Sequence, residues 1–198
     1  MLARKLLVVV AMLVVGKSAR AQHGGGGAAQ SHTPPPEAAQ YNFLIGQWDL
    51  VVKPAASGLA QKIHGTPKLV GTWKVWREFD GWGVEDELRI TDASGNPINL
   101  NRTMRFYDAT SKKWRSVGLD VYRSVVSNAI AEMRGDVMVS NSSGRDAEGA
   151  AYLSRAHYAD ITPSSFTFVQ ERSTDNGKTW DNSLTIEAKR TASLAPRN

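Results

Sequence analysis

The sequence predicts an all-β domain, an antiparallel up-and-down barrel of roughly ten strands. Three observations predict it: short alternating apolar segments, turn residues between them at near-regular spacing, and a cysteine-free chain that must stabilise itself through a core. Strands are expected over 47–53, 68–79, 84–91, 102–108, 113–121, 129–134, 137–140, 151–161, 165–173 and 183–190. The punctuation is Asp80-Gly81-Trp82-Gly83, Ala93-Ser94-Gly95-Asn96-Pro97, Ser142-Ser143-Gly144, Thr162-Pro163-Ser164 and Asp175-Asn176-Gly177. Only Glu37 to Asn42 invites a helical turn. So many short strands must hide their edges, which favours a closed barrel over an open sheet.

Upstream of the first strand the character differs. Arg4 and Lys5 precede an apolar run from Leu6 to Val15, and a short polar stretch ends in Ala19-Arg20-Ala21. This is the plan of a cleavable export signal over residues 1–21, which predicts a periplasmic or secreted protein. The apolar run is well short of the roughly twenty residues that span a bilayer, so no membrane anchor is expected after cleavage. Residues 22–40 carry Gly24 to Gly27 and Pro34 to Pro36 with no apolar period, and read as a disordered linker. The folded domain is then 41–192, followed by a flexible tail over 193–198.

The chain has 24 basic and 19 acidic residues; four of the basic ones, Arg4, Lys5, Lys17 and Arg20, lie in the expected leader, so the remainder carries 20 against 19, net +1. With that balance and no basic stripe or recognisable module, no nucleic-acid partner is expected. His23 before the glycines resembles copper-binding histidine–glycine repeats, but occurs in a single copy and reads as linker. His64 and His157 are isolated, so no metal site is expected. There is no glycine-x-serine-x-glycine elbow and no catalytic residue is assigned. No cofactor is expected either; a haem held axially by His157 is the alternative.

Alternation sorts the faces. Trp48, Leu50 and Val52 share one, as do Val84, Leu88 and Ile90, then Met104 and Phe106, Phe166 and Phe168, and Leu184, Ile186 and Ala188. With these inward, Asp86, Arg102, Gln170 and Arg190 also turn inward, where each needs a partner. In the strand around His157 alternation leaves two inner faces open: Leu153, Arg155, His157 and Ile161, or Tyr152, Ala156 and Tyr158. Glu85, Glu87 and Arg89 form a solvated ladder outside. Trp48 and Trp180 are expected to pack, while Trp73, Trp76, Trp82 and Trp114 line the cavity or its mouth.

Phe43-Leu44-Ile45-Gly46-Gln47-Trp48 resembles the glycine-x-tryptophan motif that opens the first strand of lipocalins and related calycins. Lys189-Arg190 resembles their basic residue over that tryptophan. Further along, Phe79-Asp80-Gly81, Arg105-Phe106-Tyr107-Asp108, Trp114, Phe166-Thr167-Phe168, Asp175 to Trp180 and Ile186 to Arg190 follow in the order of exported bacterial proteins of the domain-of-unknown-function 1579 kind. Residues 54–67 are an insertion relative to that pattern. The resemblance implies a calycin-type barrel closed by Gly46, Trp48 and Arg190, and little chemistry. Ser173 to Trp180 also fits the Asp-box of sialidase propellers, but a single copy reads as a hairpin turn.

The functional expectation is an exported barrel that binds a small, largely apolar ligand through Trp73, Asp86, Arg102, Phe106, Trp114, His157 and Phe168. The alternatives are a cofactor-free isomerase or hydrolase in the same cavity, or a periplasmic accessory that binds a partner. Composition is silent on oligomeric state.

Overall fold

The computed structural model describes residues 32–56, 65–146 and 148–192. The expected signal segment 1–21, most of the linker, His23, His64 and the tail 193–198 lie outside the described residues. The described residues from Pro34 to Ala192 belong to one compact unit.

Ten strands close into a barrel: β1 (Gly46–Pro54), β2 (Leu69–Glu78), β3 (Gly83–Asp92), β4 (Pro97–Asp108), β5 (Lys113–Asp120), β6 (Val125–Arg134), β7 (Val137–Arg145), β8 (Ala151–Ala159), β9 (Ser165–Ser173) and β10 (Asp181–Ala192). Each pairs antiparallel with its sequence neighbours, and β1 pairs with β10 to close the ring. Among the described residues every strand is paired on both sides, the solution anticipated from the strand count.

The stretch expected to end a linker is ordered where it meets the barrel. Pro36–Ala39 and Asn42–Leu44 form two 3-10 turns, and Ala38, Tyr41 and Leu44 are buried. Pro36 suits the first turn because it lacks the N–H that would go unpaired there. These turns stopper the end of the barrel where β1 begins; the opposite end carries the rim loops.

Three strands run well beyond their expected limits: β4 begins at Pro97, β6 begins at Val125 and β7 ends at Arg145. The Ser142-Ser143-Gly144 turn does not form, because β7 continues to Arg145 and pairs with β8 throughout. The turn falls later, where Asp146 Oδ1 accepts the Ala150 N–H at 2.7 Å. Serine and glycine favour turns only while no neighbouring strand claims their backbone, and here both flanking strands do. Elsewhere turn chemistry holds: Gly95 and Gly177 sit at φ 87° and 88°, and Asp92 Oδ1 caps the N–H groups of Ser94 and Asn96.

The inward faces expected for β1, β3, β9 and β10 are those observed: Trp48, Leu50, Val52, Val84, Ile90, Phe166, Ile186 and Ala188 are all buried. On β8 the inner set is Ser154, Ala156 and Tyr158. On β4 the expected face is inverted. Met104 and Phe106 are 43% and 38% exposed, whereas Tyr107 is buried and Arg105 faces the interior. The register shows why. Thr103 pairs with inward Asp86 and Arg105 with inward Val84, so Arg102, Met104 and Phe106 fall outside.

Candidate functional site

The closed end is built around Trp48, which is fully buried and donates its indole N–H to Leu44 O at 2.8 Å. Phe166 meets it edge-on at 4.7 Å. Arg190, opposite Trp48 in the ladder, lays its guanidinium 3.9 Å over the ring and donates to Phe43 O (2.9 Å), Ile45 O (2.5 Å) and Pro163 O (2.6 Å). One arginine thus satisfies three carbonyls that end the N-terminal turns and a neighbouring loop. Gly46 is required beside it: its φ is 141°, and a Cβ there would overlap Arg190 Nη1. Trp114 completes the floor, 1% exposed, edge-on to Tyr41 at 4.7 Å and donating to Gln40 Oε1 at 2.9 Å.

Above the floor the interior divides by side-chain size. Rings and branched chains from β1, β2, β9 and β10, with Tyr158 of β8, fill one side, where Trp73, Tyr158, Phe166 and Phe168 cluster at 5.1–6.1 Å. Opposite them the wall recedes. Ser116, Ala129, Ser142 and Ser154 follow one another across β5 to β8 in a single inward row, and Ser140 pairs with Ala156 one row below. These small residues leave a cavity of about 150 Å³, bordered also by Tyr41, Arg105, Tyr158, Phe168 and Gln170. It is room for a few waters or a small organic group.

The cavity's chemistry is polar but electrically matched. Asp86, 1% exposed, forms an ion pair with Arg105, whose side chain is 11% exposed. Burial pushes the Tyr41 and Tyr158 hydroxyls above their ordinary range, against the opposing pull of Arg105, so both remain protonated donors. Gln170 donates to Ser154 Oγ at 3.1 Å. Trp73, 3% exposed, packs on Tyr158 and Phe168, two of the three rings that border the cavity, and its indole N–H has no hydrogen-bond partner. The interior therefore offers hydroxyl and amide donors and acceptors beside an aromatic wall, with no net charge. A wider hollow of about 500 Å³ lies at the rim, where Arg145, Ala151 and Tyr152 face the Ser173–Asn176 turn.

The expected site residues separate accordingly. Trp73, Asp86, Trp114 and Phe168 face the interior, and of these only Phe168 borders the cavity itself. Arg102, Phe106 and His157 do not face it, which corrects the inward placement of Arg102 and Phe106 and the assignment of His157 to the binding site, and decides the inner face of β8 that alternation had left open. Arg102 sits outside, paired with Glu85 and Glu87, its guanidinium 4.9 Å over Trp76. The hydrogen bond that Arg102 donates to Glu85 raises its pKa, while the pKa of Glu87 is lowered first by the hydrogen bond it accepts from Arg89. Phe106 lies beside Arg115 on the outer wall. His157 lies on the outer row between Val139 and Val169, so it presents no axial ligand to a group held inside. Trp76 also faces outward, under Arg102. Sequence reasoning missed Arg105 and the serines. The signal for Arg105 was present, since an inward Asp86 demands a cation, and the neighbouring strand offers arginine at both 102 and 105.

The single Asp-box is a self-contained turn. Asp175 accepts the Thr179 N–H and hydroxyl at 2.9 and 2.6 Å and the Ser173 hydroxyl at 2.7 Å. The Thr179 hydroxyl contributes most to bringing its pKa down to about 2. Among the described residues no group of three or more His, Cys, Asp or Glu side chains is placed to hold a metal ion.

No family model matches the chain, and no curated protein does. Among solved structures it is similar to the S-type phycobiliprotein lyase CPES from Guillardia theta, with a TM-score of 0.51, 11% identity, and coverage of 78% of this chain and 92% of that one. A de novo designed fluorescence-activating β-barrel matches with a TM-score of 0.39 and 10% identity over 78% of this chain and 98% of that one. At such identity the likeness to the lyase shows a shared lipocalin-like fold and nothing more.

Proposed function

We propose that this protein binds a small ligand inside the barrel, seating a polar, uncharged group among the serines, Gln170 and Arg105, and an apolar portion against Phe168 and Tyr158. The observation that carries this reading is the cavity of about 150 Å³ itself, opened by small residues on four consecutive strands and bordered by hydroxyls rather than filled by aliphatic side chains. A wall built only for stability would place methyl groups there, because burying hydroxyls without partners costs free energy. The unpaired Trp73 N–H is a further donor in want of an acceptor. The neutral Asp86–Arg105 pair gives neither an anion nor a cation an advantage. This modifies the expectation of a largely apolar ligand: the apolar character belongs to one side of the site only.

Kinship with the exported domain-of-unknown-function 1579 proteins rests on the collinear motifs, and action outside the cytoplasm on the Arg4 to Ala21 segment. Native mass spectrometry of protein purified from its own host tests the binding. A retained small molecule is expected, and a Ser154→Leu variant, which fills the cavity, should lack it. Wild-type protein free of any such adduct, or a variant that keeps it, would overturn the reading.

A further inference from the structure

Eleven large apolar side chains are notably exposed among the described residues, and eight of them gather on one wall: Ile98, Met104 and Phe106 of β4, Leu119 of β5, Val121 and Tyr122 of the next hairpin, and Val126 and Ile130 of β6. The register makes them neighbours. Met104 pairs with Val117, Leu119 with Val126, and Arg115 lies between Phe106 and Ile130. From their fractional exposures, 38–63%, they present about 750 Å² of surface, more than the few hundred Å² a monomer leaves as one apolar patch and near what each partner supplies to a standard interface.

We propose that a second copy of this chain covers this wall, packing the outer β4–β6 face of one barrel on that of the other about a two-fold axis. The charges around the patch point to a copy rather than to another partner. Arg102 is matched by Glu85 and Glu87, Arg115 by Asp108, Lys113 and Arg134 by Glu132, and Arg123 by Asp120. A two-fold interface sets each surface against itself, so a rim already neutral within one copy meets its twin without like-charge repulsion. An anionic membrane surface would instead select unmatched lysine and arginine. A bilayer surrounding the barrel would require apolar residues outside every strand, whereas Asp49, Lys74, Glu87, Arg155, Glu171 and Lys189 occupy the other outer faces. The outer faces of two twisted sheets pack at about 30°, which brings β5 against β5 near the axis.

Sedimentation velocity over a concentration series reads the association. The wild-type protein is expected to sediment as a dimer, and the double variant Val126→Glu with Ile130→Glu as a monomer, its dissociation constant raised by at least about 100-fold as buried like charges oppose each other. Circular dichroism establishes that the variant keeps its strands. As an independent arm that leaves the patch apolar, Asn128→Cys should cross-link between copies with a short bismaleimide far faster than Val51→Cys on β1. A wild-type monomer at about 100 μM, a dimer that survives both glutamates, or equal cross-linking at the two positions would overturn the proposal. A monomer that floats with zwitterionic vesicles would also overturn it and assign the wall to lipid.

Discussion

Replacing Arg105 by methionine removes the cation beside Asp86 and leaves a carboxylate that is 1% exposed without a counter-ion. Breaking one side of a buried pair costs about 3–5 kcal/mol, against about 0–1 kcal/mol for an exposed one. Arg105 belongs to the first class, because its own side chain is 11% exposed. The loss depends on Asp86 remaining ionised. In the variant, low dielectric and no cation make the folded carboxyl take up a proton at higher pH than in the unfolded chain. The folded state then binds more protons than the unfolded one, so stability falls as pH rises and recovers as it drops. Urea titrations should show the full loss near pH 8 and a smaller one near pH 5. The double variant Asp86→Leu with Arg105→Met should regain most of the difference, since neither charge remains to be desolvated. A loss below about 1 kcal/mol at pH 8, or a double variant as unstable as the worse single one, would refute a buried, mutually neutralising pair.

Further expectations concern the closed end, the outer wall and acid stability. Trp48→Ala should cost about 3–5 kcal/mol in a denaturant titration, the range for deleting a large buried aromatic; a cost under about 1 kcal/mol would contradict its place under Arg190. Arg102→Met should cost less than about 1 kcal/mol, because its partners are partly exposed and water screens them, and it should leave any interior ligand in place. Asp108, held down chiefly by the Ser111 hydroxyl and then by Arg115, and Asp175, held by Thr179, both have pKa values lowered to about 2 from 3.8. Their contribution to stability is complete above the unfolded value and is lost as pH falls through about 2, so melting temperature should drop across that window. Asp175→Asn should flatten part of that slope, and an unchanged slope would show that the turn does not sense its charge.

The fold was legible because its signals are local and repeated. Ten segments and most of their turns could be read from spacing alone, and Gly46, Trp48 and Arg190 announced the closed end through their resemblance to the calycin motif. The missed turn at Ser142 to Gly144 shows the limit: its residues favour a turn, but pairing on both sides of β7 outweighs them. The N-terminal turns were missed in part because proline and glycine mask how well Ala38, Tyr41 and Leu44 plug an open end. The candidate site was far less legible. Serine at 116, 140, 142 and 154 carries no motif, and its meaning arises only when four strands bring those positions together.

The inverted assignment on β4 has a physical cause that also joins the cavity to the outer wall. Sorting faces by hydrophobicity presumes that a barrel's inside is its apolar side, which is true where β1, β3, β9 and β10 enclose Trp48, Val84, Phe166 and Ile186. Above Tyr107, Trp114 and Ala131, which fill the closed end, the polarity of β4 to β6 is turned round: Thr103, Arg105, Ser116, Gly118 and Ala129 face in, while Met104, Phe106, Leu119, Val126 and Ile130 face out. Folding alone gives no reason for such a wall, because it forgoes apolar burial inside and exposes apolar surface outside. Both losses are offset only when something polar occupies the interior and something apolar covers the exterior. The same ten or so side chains therefore argue for a ligand within and a partner without, and a barrel that had neither would be expected to carry the opposite alternation on these three strands.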